Sequence, residues 1–167
     1  TATLEDAVAP GRILAQATAD KKPSVSETSI LLDGSNDFIY QGLTGGVGSI
    51  ATNAPENMTF YLKLHIKCAL NDSNNRYIFS EGQNSYGRLL VVQENWRKLA
   101  FKWRDDDGTI KAIQYENESD IFNKKIVFCA TRSNSQQKLY IDGVLKATTN
   151  TASGNIKTSD IQFTSIG

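Results

Sequence analysis

The sequence predicts an all-β protein: two antiparallel sheets packed face to face as a jelly-roll sandwich. Three observations carry that prediction. From Thr59 to Ala69 the chain alternates, with Phe60, Leu62, Leu64, Ile66 and Cys68 on one side and Tyr61, Lys63, His65 and Lys67 on the other. Period two with one apolar face marks a strand half in a core and half in solvent. Asp142-Gly143 separates two short apolar runs, and both residues accept positive φ at low cost, as a two-residue hairpin turn requires. Elsewhere, short β-branched and aromatic runs recur with turn residues between them, roughly ten residues apart. No long stretch has helical periodicity.

A chain of 167 residues suits one domain with one sizeable core. Its 40% hydrophobic and 22% charged content is ordinary for a globular protein. Eighteen basic residues balance eighteen acidic ones, which argues against a nucleic-acid partner held by phosphate neutralisation. No apolar run approaches a membrane span, so no membrane insertion is expected, and no basic-then-apolar leader is present. The first residue is Thr rather than Met, so a processed product or a piece of a longer chain is expected. Cys68 and Cys129 both fall in predicted strands and are read as buried free thiols. One His and no Cys-x-x-Cys argue against a zinc site.

Taken in order, residues 1–28 read as an extended N-terminal arm packed on the domain, with one or two helical turns between Leu4 and Val8. Residues 29–167 read as the sandwich. Ser29 to Leu32 and Phe38 to Tyr40 are expected to form a first hairpin around Asp33 to Asp37. Gln41 to Pro55 is a Gly-rich loop that lacks the Gly-Lys-Ser/Thr ending of a phosphate-binding loop. After the alternating strand come strands at Arg76 to Ser80 and Arg88 to Gln93, flanking a loop from Glu81 to Gly87. Lys98 to Arg104 places Leu99, Phe101 and Trp103 on a core face opposite Lys98, Ala100, Lys102 and Arg104. Asp105 to Gly108 turns the chain into Thr109 to Tyr115, and Glu116 to Asp120 is an acidic loop. Then KKIVFCATRSNSQQKLYIDGVLKA, residues 124–147, reads as three strands joined by a polar turn at Arg132 to Gln136 and by Asp142-Gly143. Ile161 to Gly167 closes a sheet.

The residues quoted from this central stretch resemble the central hairpin of laminin G-like domains in the concanavalin A-like lectin/glucanase superfamily. LLDGSNDFI near the start and the closing IQFTSIG are similar to that family's entry and terminal motifs. ILAQATADKKPSVSETSILLDGSNDFI is similar to the entry segment of laminin G-like domains in phage tail and virion proteins and some bacterial surface proteins. The resemblance implies a jelly roll and an extracellular or virion-surface location. It leaves function open, because this fold serves lectins, adhesion modules, hydrolases and virion subunits.

Glu116, Glu118 and Asp120 alternate, as acids do along a core strand of the family's hydrolases. Neighbours at i and i+2 lie about 7 Å apart along an extended chain, whereas a retaining glycosidase needs two carboxyl groups about 5 Å apart. The residues between them are Asn and Ser, so a solvated loop and no enzyme are expected. Glu56, Glu81 and Glu94 form no dyad. No cofactor is expected. A structural calcium ion, which laminin G-like domains often carry at the sandwich rim, has Asp105-Asp106-Asp107-Gly108 as its candidate turn and Asp33, Asp37 and Asp72 as alternatives. His65 has no nucleophile motif beside it and is not part of a triad.

The expected activity is therefore binding. Tyr61, Lys63 and His65 project from one strand, and Lys102 and Arg104 from another. If the two strands share a sheet, these side chains form a basic strip with an aromatic beside it, rimmed by Trp96 and Tyr86 in nearby loops. Such a surface suits an acidic glycan or the acidic patch of a partner protein. The readings are a non-catalytic glycan- or protein-binding module, a virion subunit whose sandwich packs against others or self-associates, and a glucanase-type hydrolase. The last is disfavoured by the missing acid pair.

Overall fold

The computed structural model describes residues 2–5, 13–16, 18–25, 30–32, 39–42, 57–67, 75–83, 86–94, 97–105, 107–133, 135–150, 154, 156 and 163–166. The chain order is β1 (Ala2–Glu5), β2 (Ile13–Gln16), a 3-10 turn (Ala19–Lys21), β3 (Ser24–Val25), β4 (Ile30–Leu31), β5 (Ile39–Gly42), β6 (Met58–His65), β7 (Arg76–Gln83) and β8 (Tyr86–Glu94). It continues with β9 (Lys98–Arg104), β10 (Ile110–Glu116), α1 (Glu118–Ile121), β11 (Lys125–Ser133), β12 (Gln136–Ile141), β13 (Val144–Thr149) and β14 (Phe163–Ile166).

The strands form an eight-stranded sheet, ordered β1-β2-β5-β14-β7-β8-β9-β10, and a four-stranded sheet, ordered β13-β12-β11-β6. Every strand pair in both is antiparallel. The two sheets share one core, so the expected all-β sandwich is what the chain builds. From the large sheet come Phe79, Val91, Leu99, Phe101, Trp103 and Ile113, and from the small sheet Phe60, Ile126, Phe128, Ala130, Leu139 and Ile141. Phe60 bridges the layers, with ring centroids 4.9 Å from Phe79 and 6.0 Å from Phe101. Such tilted aromatic packing adds to plain area burial. Ile121 of α1 and the adjoining Phe122 plug the core, and Phe122 bridges to Ile66.

Local sequence explains the three central strands. β11 alternates buried Ile126, Phe128, Ala130 and Arg132 with half-buried Val127, Cys129 and Thr131. Between β12 and β13, Asp142 and Gly143 have φ of 51° and 79°, the primed turn whose twist suits a two-residue hairpin. The Asp142 carboxylate also accepts a hydrogen bond from the Val127 amide at 2.7 Å, tying the turn to the neighbouring strand.

Several expectations are corrected. Leu4 and Glu5 lie in β1, not in a helical turn; β1 pairs with β2, and β2 with β5, so residues of the N-terminal arm extend the large sheet. The first hairpin does not form as read: β4 pairs with β3 in a separate two-stranded sheet, while β5 pairs with β14 and β2. Most of the expected loop from Glu81 to Gly87 is strand: β7 runs to Gln83, β8 begins at Tyr86, and these two residues pair. The acidic loop contains the single helical turn α1, whose Asn117 cap accepts from the Ser119 amide. The polar turn at Arg132 to Gln136 is shorter than read, since Arg132 and Ser133 still belong to β11 and Gln136 opens β12. The Gly-rich loop beyond Gly42 lies outside the described residues, as do Cys68, Asp33, Asp37 and Asp72. Among the described residues no helix is long and apolar enough to cross a membrane.

Candidate functional site

The outer face of the four-stranded sheet is built by strand alternation. β6 turns Phe60 into the core, which leaves Thr59, Tyr61, Lys63 and His65 exposed on the other side. Register then fixes their neighbours. Tyr61 is opposite Cys129, Cys129 opposite Tyr140, and Tyr140 opposite Leu145. Side chains directly opposite one another stand on the same side of a sheet. One row, Tyr61–Cys129–Tyr140–Leu145, therefore crosses all four strands. Tyr61 is 54% exposed and Leu145 50%, while Cys129 and Tyr140 are half-buried between them. Cys129 is thus a face residue, not a core thiol; it carries no disulfide, and burial pushes its pKa up, which keeps it a neutral thiol.

Basic side chains flank this row. Lys63 is opposite Val127, and His65 opposite Lys125. On the other side Thr59, Thr131, Lys138 and Thr148 form a parallel row. Among the described residues, the outward strand positions of this sheet hold Lys63, His65, Lys125 and Lys138 and no carboxylate. The balanced chain thus concentrates positive charge beside two tyrosines. A flat aromatic platform with ammonium groups at its edge can stack on a sugar ring and donate charge-assisted hydrogen bonds to an anion.

The structure separates the residues expected to form one strip. Tyr61, Lys63 and His65 stand together on β6 in the small sheet, but Lys102 and Arg104 are on β9 in the large sheet. Leu99, Phe101 and Trp103 fill the core side of β9, so Lys102 and Arg104 face away from it on the opposite outer surface of the sandwich. The expected continuous strip is therefore two separate surfaces. Arg104 is engaged locally, with Nη1 donating to the Gly108 carbonyl at 2.5 Å across the β9–β10 turn. Tyr86 opens strand β8 and is not a loop residue. Trp96 lies outside the described residues. Sequence reading missed Tyr140, Cys129, Lys125 and Lys138. Their signal is alternation within β11 and β12, hidden because the middle of β11, Val127 to Ala130, is apolar on both faces.

The carboxylates are dispersed among separate partners. Glu118 pairs with Arg97 at 3.2 Å, Glu116 with Lys98 at 3.7 Å and Asp120 with Lys146 at 2.7 Å. In the turn after β9, Asp105 and Asp107 both accept from the Thr109 amide, at 2.7 and 2.9 Å. Asp105 is buried and pairs with Lys111 at 3.3 Å. Hydrogen bonding to Asp105, then to Thr109, holds the Asp107 carboxyl down at about 2. These two aspartates of the candidate calcium turn are already satisfied as turn and ion-pair groups, and Asp106 lies outside the described residues. Among the described residues no cluster of three metal-ligating side chains occurs.

No protein-family model matches the chain, and no curated protein sequence matches it. Solved structures do share the fold. The chain is similar to the botulinum neurotoxin serotype D binding domain, at 16% identity and TM-score 0.55 over 80% of this chain and 32% of that one. It is similar to the binding domain of botulinum neurotoxin DC in complex with rat synaptotagmin II, at 13% identity and TM-score 0.56 over 81% and 33%. It is similar to the CBM40 of the Ruminococcus gnavus IT-sialidase bound to alpha2,3 sialyllactose, at 17% identity and TM-score 0.52 over 72% and 68%. The chain spans about a third of the length of the two neurotoxin binding domains. At these identities the likeness establishes the fold, an all-β sandwich.

Proposed function

We propose that this chain is a non-catalytic binding module that takes an acidic glycan on the outer face of its four-stranded sheet. One observation carries the reading. The row Tyr61–Cys129–Tyr140–Leu145 lies between Lys63 and Lys138, and no carboxylate occupies an outward strand position of that sheet among the described residues. The tyrosines supply ring faces and the lysines supply charge. Each exposed ion pair contributes at most about 1 kcal/mol, so the rings and repeated display carry the affinity. The solved structures of this fold include one bound to a sialylated sugar and one in complex with a synaptotagmin; both kinds of ligand are thus compatible with the architecture. The dispersal of Glu116, Glu118 and Asp120 onto separate cations supports a module without glycosidase chemistry. The laminin G-like resemblance of the sequence supports display on a virion or cell surface, where many copies act together.

The test is a glycan array probed with the parent chain and with Tyr61→Ala/Tyr140→Ala. Removing both rings is expected to weaken binding about tenfold or more, the scale of losing over 1.4 kcal/mol of stacking. Unchanged binding by a folded double variant rejects this face. Binding confined to a protein partner, with no glycan retained, rejects the glycan and leaves the face.

A further inference from the structure

One end of the sandwich interior is polar. There Arg132 and Gln137 are direct cross-strand neighbours on the inner faces of β11 and β12, and they are 2% and 0% exposed. The Arg132 guanidinium lies 4.9 Å from the centroid of Trp103, which projects inward from β9 of the opposite sheet. Arg132 Nη2 also donates to the carbonyl of Gly154. Gly154 has φ +97° and packs against Asp105, and Asp105 in turn bridges to Ile156. Gly154 and Ile156 therefore cover this end, held by the two buried charged residues Arg132 and Asp105.

Within this end, Trp103 Nε1, Gln137 Nε2 and Gln137 Oε1 are among the buried side-chain atoms that have no protein hydrogen-bond partner. An unmet buried amide is costly, and native interiors satisfy nearly all such groups. The three atoms comprise two donors and one acceptor. A bridging ligand must accept from the indole and the amide N–H and donate to the amide oxygen. A species that must both accept and donate is neither a bare anion nor a metal cation.

We infer that this end of the core is a binding site for a neutral, water-sized ligand, an ordered internal water hydrogen-bonded to the Gln137 amide and the Trp103 indole. A water that meets two to four polar partners is a lasting part of a fold. The site is separate from the outer-face platform, and its role is to hold Gln137 and Trp103 in register beneath Arg132.

The experiment is a high-resolution crystal structure of the parent chain, together with the long-lived water cross-peak of the Trp103 indole proton in solution. A water within hydrogen-bond distance of both Trp103 Nε1 and the Gln137 amide is expected. A dry site, or a Gln137 amide turned onto a protein partner, overturns the proposal. The near-isosteric Gln137→Met is expected to abolish the cross-peak and to lower the thermal midpoint by about 3–8 °C. An equal or higher midpoint overturns it, because an orphaned amide would be better replaced by an apolar side chain. If Gln137→Met does not fold, the parent measurements decide alone.

Discussion

Lys146 Nζ donates to Asp120 Oδ2 at 2.7 Å, and this bond closes the sandwich along one side. Lys146 belongs to β13, the edge of the small sheet, and Asp120 to α1, just beyond the edge strand β10 of the large sheet. The Tyr115 hydroxyl donates to the same oxygen at 2.7 Å, and Lys146 lies 5.4 Å from the centroid of the Tyr115 ring. One carboxylate oxygen thus gathers a donor from each layer. The hydrogen bond from Lys146, followed by that from Tyr115, lowers the Asp120 pKa. The same bond raises that of Lys146.

The first prediction is the pH window of this clip. A carboxyl with a depressed folded pKa contributes stability above its unfolded value, near 3.9, and loses it as pH falls through the folded value. A raised ammonium pKa contributes below its unfolded value, near 10.4, and loses it as pH rises further. The clip should therefore stabilise the fold between about pH 4 and 10. Asp120→Asn should lower the thermal midpoint at pH 7, and the gap from the parent should close in strong acid. A gap that persists unchanged at pH 2 would contradict this assignment.

The second prediction concerns the Asp142-Gly143 turn. Asp142→Ala removes the bond to the Val127 amide and places Ala at positive φ, for a loss of about 1–2 kcal/mol. Asp142→Asn keeps an acceptor and tolerates the left-handed region, so its loss should be under half as large. Gly143→Ala meets no neighbouring atom but sits at φ +79°, and should cost about 1 kcal/mol through backbone strain alone. Urea unfolding of the three variants gives the order; Asn as damaging as Ala would show that the turn requires the carboxylate's charge and not merely an acceptor for the Val127 amide.

These elements also show what the sequence makes legible. The alternation of β6 and the Asp142-Gly143 turn are local signals, and the structure keeps both. Periodicity identifies which face of a strand is apolar, but it does not say which sheet the strand joins. That is why Lys102 and Arg104 looked like companions of Lys63 and yet stand on the far side of the sandwich. β11 is central in its sheet, so both its faces are at least half-buried, and its pattern does not single out Val127, Cys129 and Thr131 as outward. Arg132 stands next to Ser-Asn-Ser, so the sequence there reads as a polar turn. It is buried because Trp103 and the Gly154 carbonyl, both distant in sequence, receive its guanidinium.

A third prediction follows from that burial. Arg132→Ala should cost about 3 kcal/mol or more, since it strips the guanidinium from its partners and opens space over Trp103. Arg132→Lys keeps the charge but loses the planar stack and the fork of donors, and should fall between Ala and the parent. Chemical denaturation measures both, and tryptophan emission should shift as the cover over Trp103 is lost. Lys equal to Arg would mean that charge, not stacking, is what the site requires.

The last prediction decides which surface binds. The small-sheet face carries Lys63 and Lys138 beside Tyr61 and Tyr140, whereas Lys102 and Arg104 occupy the opposite outer surface. Lys63→Glu reverses a charge at the platform and should weaken binding to an acidic glycan about tenfold, by removing one favourable contact and adding one repulsive one. The effect should shrink as salt rises from 0.05 to 0.5 M, because exposed charges are screened beyond a Debye length of about 10 Å at 0.1 M. Lys102→Glu, with the same charge change on the far side, should alter binding less than about twofold, through long-range field alone. If the two reversals weaken binding equally, the ligand is responding to net charge and not to this face. If only Lys102→Glu does so, the ligand sits on the large sheet and the tyrosine row has another use.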